Sequence, residues 1–563
     1  WSTDYTANLE FHDLYTTAIL PKGVRLNFTL DFDESHRDTG DYSLLETASG
    51  YALCHNKTCK TWMFDGAGRL TSIEEVDGSV ITCEYSGDKL TKVSNDTGSF
   101  TLSYSGDNAA RVTDSTGRSI NLSYDGDYLT AVENPDADSL RFSYDANGYL
   151  DSVENFEGQV HVENIYDDEG HVVHQFADKI GTFDFSYDFD ARHNICTGTD
   201  GYLCEIWYDE LGRITASKDA SGIQYVTYNK LNQVTSRTDR EGNTTEYEHD
   251  SDGNISKITY ADGTFEQFRY DGNRQITWMR DRNGSESSYS YDGSAHMTSS
   301  TDGRGNTTRY SYDGDGNLTS VTDALGEVTS YTYDSKGNCT SVTDALGNTT
   351  RYAYDSQGRM ASATDANGEV TRYEYTSAGK LAKITDADGN VQTFEVNGNG
   401  FNTAASDWLG NVTRYTYDIQ SNITSITTPL GSVTRYTYDD RGNLSTATDA
   451  NGNTTGYTYD AAGRMVSMTD AAGNTWTYDY NNESQMTAIT DPAGGTVTTR
   501  YDEVGRTSSV KDAEGNTTRY AYDGVGNTTK VTDALSHSTS YEYDENGNLT
   551  SMTDRNGHTT AYV

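Results

Sequence analysis

The most reactive side chains of the 563-residue chain are its six cysteines. Cys54 and Cys59 flank His55-Asn56-Lys57-Thr58, and Cys196 and Cys204 flank a stretch centred on Asp200-Gly201. Two cysteines so placed can face each other across a hairpin, within the ~4.4–6.8 Å Cα window of a disulfide. Both pairs are expected to bridge if the chain works in an oxidising compartment. Cys83 and Cys339 have no evident partner. The competing reading is a zinc site with His55 and His193. It lacks the Cys-x-x-Cys pairs such sites use, so no metal is expected.

Asp96-Thr97-Gly98-Ser99 copies the short signature around an aspartic-protease carboxylate. A working dyad needs a second carboxylate sharing a proton, and nothing marks one, so the segment reads as a turn. Aspartate-rich stretches such as Asp313-Gly314-Asp315-Gly316-Asn317 and Asp386-Ala387-Asp388-Gly389-Asn390 invite a calcium reading. An EF-hand loop needs Gly at its sixth position and Glu at its twelfth; counted from Asp313, those are Leu318 and Ala324. Glycosylation sequons are numerous, among them Asn27, Asn56 and Asn121, and most are by-products of a recurring Gly-Asn-x-Thr turn exit. There is no Gly-x-Ser-x-Gly elbow, phosphate loop or His-Glu-x-x-His. The expectation is therefore no catalytic residue, no cofactor and no enzymatic activity in this chain.

The elements that carry these residues are set by a repeat. Tyr291-Asp292, Tyr312-Asp313, Tyr333-Asp334 and Tyr354-Asp355 stand 21 residues apart, and the register runs on through Tyr417, Tyr438, Tyr459, Tyr480, Tyr501, Tyr522 and Tyr543. Backward it passes Tyr270, His249 and Tyr228 and reaches Phe64 at looser spacings of 19–22. Of these 24 positions, 21 are tyrosine, which chance cannot produce. In one unit, Asp334-Ser335-Lys336-Gly337 and Asp344-Ala345-Leu346-Gly347 are turns of the same chemistry: aspartate bonds the backbone two residues on, and glycine takes the left-handed conformation. Two four-residue turns in 21 leave strands of 6 and 7. The unit is a β-hairpin, repeated as an antiparallel meander.

Period-two alternation puts Tyr352 and Tyr354 on one face and Arg351 and Ala353 on the other, so stacked hairpins carry ladders of aromatic rings. In the other strand, Leu318 and Val321 fall on opposite faces unless a bulge intervenes. About 48 strands make ~230 Å of sheet, and a twisted sheet rarely exceeds ~10 strands without curling, so this one must coil. The hydrophobic residues amount to only 34%, which suits a single-layer wall wetted on both faces better than a sandwich. Four prolines in the whole chain agree with central strands.

The motif running from Tyr312 to Asp355 resembles two consensus units of the YD repeat of the RHS (rearrangement hotspot) family. The resemblance covers about 64–563. It implies an all-β fold: antiparallel hairpins of about 21 residues coiled into a hollow spiral shell. In bacteria such shells commonly enclose a C-terminal toxin, and in animal teneurins a similar shell belongs to an adhesion receptor. The RHS core and aspartate-dependent self-cleavage site of the toxin proteins are not in the sequence, so no catalytic residue is carried over. Residues 1–63 read as a β-rich lead-in or cap, with Val24 to Phe32 alternating as a strand. Residues 64–563 read as the array of about 24 hairpins, cut at its C-terminal end; Trp1 and Val563 are expected to be internal to a longer protein.

The net charge of −45 excludes a nucleic-acid binder, which needs a basic footprint. No apolar run reaches the ~18 residues of a membrane span. The expected role is a secreted or cell-surface container or scaffold for an encapsulated or neighbouring protein domain. The alternative is an extracellular adhesive, wall- or fibre-forming protein that contacts cell-surface proteins, glycans or copies of itself.

Overall fold

The structure, a computed structural model, describes residues 44–55, 60–75, 79–95, 98–135, 137–177, 181–198, 202–377, 379–398, 400–418, 420–439 and 441–562. Of residues 8–11, 15–19, 25–29, 36–38 and 42–43 it describes the strand backbone. Among the described residues there are strands and turns and no helix, and therefore no helix long and apolar enough to cross a membrane.

Asn8–Phe11, Tyr15–Ile19 and Arg25–Thr29 form a small three-stranded antiparallel sheet. From His36–Asp38 to Thr559–Ala561 every strand pairs antiparallel with the one before and the one after it, a single meander with no crossover. The expected hairpin is present with different lengths. Thr349–Tyr354 has six residues and Met360–Thr364 five, not six and seven, because the turns take five residues each. In the turn after Tyr354, the Asp355 N–H donates to Arg359 O (2.9 Å) and the Gly358 N–H to Asp355 O (3.1 Å). The turn after Thr343 repeats both bonds at Asp344, Asn348 and Gly347, with Gly347 at φ +87°. Turns after the six-residue strands are called here Tyr-end turns, and turns after the five-residue strands Thr-end turns.

A bulge resolves the facing of the short strand. Tyr310 pairs with Val321, Ser311 with Ser320 and Tyr312 with Leu318, so Thr319 is the extra residue. One residue added to a period of two brings Leu318 back to the face of Val321, under the tyrosines. The same shift recurs at Ala353/Tyr354 and Glu374/Tyr375. The tyrosine face is the better covered: Tyr331, Tyr352, Tyr373, Tyr415 and Tyr436 are half-buried, whereas Arg351, Arg372, Arg414 and Arg435 are exposed.

Among the described residues, one buried hydrophobic cluster forms near the start of the meander, from Leu44, Leu53, Trp62, Phe64, Leu70, Ile73, Cys83 and Val93. Elsewhere the wall is one sheet thick, and most of its described strand residues are half-buried or exposed, with scattered exceptions such as Phe142, Phe183 and Ala404.

Candidate functional site: wall, seam and rims

The turns decide which carboxylates are free to do chemistry. Asp355 Oδ1 accepts the backbone N–H groups of Gln357 (2.8 Å) and Arg359 (3.0 Å), and Oδ2 accepts Arg359 Nε (2.7 Å). Burial acts to raise the Asp355 pKa, but these bonds outweigh it and hold the carboxyl below its ordinary value. Asp313 is consumed in the same way by Asp315 and Asn317, and Asp386 by Asn390. The leading aspartates of the two stretches that suggested calcium thus bond within their own turns. Among the described residues one group could share a metal ion: Asp167, Glu169 and His171. It is again a turn, with Asp167 Oδ1 taking the N–H of Glu169 and His171, and Oδ2 lying 3.1 Å from His171 Nδ1.

The residues singled out from sequence fall as follows. Cys196 and Cys204 are directly opposite one another in the neighbouring strands His193–Gly198 and Leu203–Tyr208, as free thiols. Cys54 is a free thiol accepting a bond from Thr61 Oγ1 at 3.6 Å, and Cys59 lies outside the described residues. Asn56, Asp96, Thr97 and the side chain of Asn27 lie outside them as well. Asn121 sits in a strand and donates to Glu133 Oε1 at 2.8 Å. Cys83 is buried, which pushes its thiol up to about 11.

What sequence reasoning missed is a seam. Glu157 Oε1 accepts the Gly398 N–H (2.8 Å), Glu241 Oε1 the Asn482 N–H (2.8 Å) and Asn283 Oδ1 the Gly524 N–H (2.7 Å), each pair 241 residues apart. Arg304 Nη1 donates to Asp544 Oδ2 (3.0 Å), Arg506 Nη2 to Asp262 Oδ2 (3.4 Å) and the Arg240 N–H to Glu483 Oε1 (2.6 Å). The sheet has therefore wound once around and met itself. An offset of 241 at 21 residues per unit is about 11.5 units, and the half unit is required: it sets Thr-end turns of the first coil against Tyr-end turns of the second. About 23 strands at ~4.8 Å give a circumference near 110 Å and a diameter of at least about 35 Å.

Each hairpin along the seam therefore touches the neighbouring coil as well as the hairpins before and after it. The seam is polar on both sides, and clefts open along it. One of about 1180 Å³ is lined by Tyr225, Tyr247, Glu241 and Arg282 from the first coil and Glu483 and Arg500 from the second. Another, of about 410 Å³, lies between Asp114 and Arg118 on one side and Lys336 and Gln357 on the other. Asp114 is held down to about 2; its burial works the other way but is outweighed by bonds from Thr116 and Arg118. No sequence signal marks the seam: the third residue of the Thr-end turn is Glu157, Glu241, Asp262, Asn283 and Arg304 where a coil lies against it, but it is polar as well at Asn367, Asp388, Asn451 and Glu514, which no seam bond reaches among the described residues. Backbone bonds and ion pairs of this kind can close a wall.

The family model described as RHS Repeat matches twelve overlapping stretches that together cover residues 208–264, 294–391, 397–496 and 501–559, more than half of the chain. No curated protein matches it. Among solved structures, the crystal structure of TcdB2-TccC3 superposes with a TM-score of 0.58 at 15% identity, over 92% of this chain and 32% of that one. TcdB2-TccC3 without its hypervariable C-terminal region gives 0.59 at 14%, over 92% and 34%. This chain thus spans about a third of the length of the solved chains it is similar to, and the likeness is one of fold.

Proposed function

The chain belongs to the RHS repeat family, and from that premise we propose that it is the wall of a hollow shell that holds a protein cargo. The observation that carries this reading is the seam: Glu157–Gly398, Glu241–Asn482 and Asn283–Gly524 join consecutive coils at one constant offset, so the wall is continuous around and along the spiral. The wall itself does no chemistry, because its turn carboxylates are spent on their own backbone. The cargo is a protein segment joined to the repeats. One structural neighbour is described by the presence or absence of a hypervariable C-terminal region, and a toxin segment of that kind is the cargo proposed here. The site of action is extracellular, after secretion; a net charge of −45 keeps so large a surface soluble.

The test is to append the same unstructured peptide, carrying a protease site, either after Val563 or before Trp1. A container slows cleavage of the peptide after Val563 many-fold relative to the other. Equal cleavage of the two would sink the container reading and leave a surface that merely contacts partners.

A further inference from the structure

The residue three before each register tyrosine stands in mid-strand, on the face opposite the tyrosines. Four of the earlier units hold acid there, at Glu163, Asp184, Glu205 and Glu246. Five successive later units hold Arg351, Arg372, Thr393, Arg414 and Arg435. Arg309 and Arg519 lie further along the same row, past Ser330 on one side and past Gly456, Thr477 and Thr498 on the other, and no position of the row from Arg309 to Ser540 is acidic. Arg351, Arg372, Arg414 and Arg435 are all exposed, and among the described residues none of them has an ion pair, hydrogen bond or ring contact. Other arginines of the array behave differently: Arg359, Arg464 and Arg506 each bind the aspartate four residues before.

A chain with 86 acidic residues could have paired the row as well, because opposite charges facing each other across strands are favourable. Instead Arg351 stands between Ser341 and Thr364, and Arg435 between Ser425 and Thr448. Arg372 and Arg414 are likewise flanked by serine, threonine or alanine alone. The hydroxyls satisfy one another, as Thr416 Oγ1 does with Thr424 Oγ1 at 2.8 Å and Ser425 Oγ at 2.7 Å, so they leave the guanidinium groups free. From Cys339–Thr343 to Leu444–Thr448 this face carries one further cation, Lys383, and two carboxylates, Glu374 and Glu395. Glu374 is taken by Lys383 Nζ at 2.6 Å. The strip is therefore positive in a chain of net charge −45. At ~0.15 M salt the Debye length is about 8 Å, so a ligand lying on the strip feels the arginines beneath it and little of the whole molecule's charge.

We propose that this row binds an extended acidic peptide of a partner protein, laid across the strands with a carboxylate at every third residue. Arginines of adjacent units are two strands, or ~10 Å, apart, and Arg351 to Arg435 spans ~38 Å. A polyproline II chain has three residues per turn at ~3.1 Å each, so every third side chain points the same way about 9.3 Å further on. Its carboxylates thus meet arginine after arginine, each able to accept two parallel N–H bonds from a guanidinium. A sulfated glycan carries several anions per disaccharide and would leave most of them unmatched by one cation per ~10 Å. Each exposed pair is weak alone, but four joined in one peptide act as a single multivalent contact. The inference goes beyond the container reading and does not depend on it.

Fluorescence anisotropy with the full chain at about 0.15 M salt tests this. The probe is a labelled peptide of about five Glu-Pro-Ser repeats, long enough to span the row. It should bind the wild type, and an isomer with its glutamates gathered in one block should bind at least about fivefold more weakly. The variant Arg351→Ser/Arg372→Ser/Arg414→Ser/Arg435→Ser should lose at least about tenfold in affinity for the spaced peptide. Serine already occupies this position at Ser330 and Ser540, so the variant should keep the wild-type far-ultraviolet spectrum and melting temperature. A wild type that does not bind the spaced peptide, a folded variant that binds it equally, or equal binding of the two isomers would each overturn the proposal. So would a heparin oligosaccharide that displaces the peptide at a lower concentration than unlabelled peptide does, which would assign the row to a glycan.

Discussion

The hydroxyl of Tyr354 donates to the carbonyl of Cys339 at 2.8 Å, between strands whose backbone ladder has already ended. The paired residues of those two strands run from Thr343–Thr349 only to Ser341–Arg351. Beyond Ser341 the bulge turns the backbone away, and the tyrosine closes the gap. Tyr333 does the same for Leu318, Tyr375 for Met360 and Tyr438 for Ile423. The repeat thus calls for tyrosine rather than phenylalanine: the ring packs in the ladder and the hydroxyl staples one hairpin to the next.

Tyr354→Phe keeps the ring and removes the staple. A half-buried hydrogen bond of this kind contributes about 1 kcal/mol. Hydrogen exchange should speed up at Cys339 and at the residues around Tyr354, and stay unchanged three units away. Unaltered exchange at Cys339 would show that the hydroxyl is dispensable.

Turn glycines should differ according to the rim they occupy. A Cβ on Gly347 meets nothing within 4 Å, so Gly347→Val costs only the strain of a β-branched residue at φ +87°, about 1–3 kcal/mol. Among the described residues no seam bond reaches its turn, and limited proteolysis should nick the variant near residues 334–360 alone. Gly242, at φ +88°, follows Glu241 in the seam. Gly242→Val should open a second cleavage site at residues 481–485, in the other coil. Confinement of both variants to their own turns would mean that the seam carries no load. Serine at this turn position is tolerated, as Ser421, Ser484 and Ser536 show with φ of 61–67°.

The hairpin, its two turns and the tyrosine face were legible because each has a local signature: a 21-residue register, an Asp-x-x-Gly sequence, an alternation of two. The bulge was not, since Thr319 differs in no chemical way from the threonines that pair normally; only the mismatch of Leu318 and Val321 hinted at it. The seam was invisible for a different reason. Its bonds join residues 241 apart, and the coil closes there because of sheet curvature, which no local motif encodes.

Acid should loosen the seam. At Asp262 burial acts to raise the carboxyl pKa, but bonds from Thr264 and the charges of Arg282 and Arg506 outweigh it; at Asp523 burial is likewise outweighed, by Asn527 and Asn283. Both carboxyls are thus held below the ordinary value, ~4 for an unfolded aspartate. A lowered folded-state pKa contributes stability that is complete above the unfolded pKa and is lost as pH falls through the folded one. The melting temperature should therefore be flat from about pH 8 to 5 and fall below about pH 4. Asp262→Asn/Asp523→Asn should show the seam cleavage at neutral pH that the wild type shows only in acid. A wild-type seam as protease-resistant at pH 3 as at pH 7 would contradict this.

Cys196 and Cys204 should form a disulfide when the chain is held in an oxidising buffer. The Gly198 N–H donates to Tyr202 O, and the Tyr208 N–H to Arg192 O, which marks both as hydrogen-bonded pairs of this hairpin. Such pairs alternate with non-bonded ones, and Cys196–Cys204 falls two steps from the first and four from the second, so it is a bonded pair too. Bonded pairs have Cα atoms ~5.5 Å apart, inside the range a disulfide spans. Burial first, and then the neighbouring Cys204 and Asp184, push the Cys196 thiol up to about 11, and burial raises Cys204 as well. The reduced pair is therefore a poor thiolate at neutral pH, and spontaneous oxidation should be slow. With a glutathione redox couple as oxidant, the thiols of Cys196 and Cys204 should both be lost, and the peptide that cross-links them should appear on non-reducing mass spectrometry. Closing so short a loop restricts the unfolded chain by about 2–3 kcal/mol if the native strands accept the bridge unstrained. The gain should appear as a higher local barrier to proteolysis at residues 196–204 and vanish in Cys196→Ser/Cys204→Ser. Two free thiols persisting after prolonged equilibration would show that strand geometry, not thiol reactivity, forbids the bond.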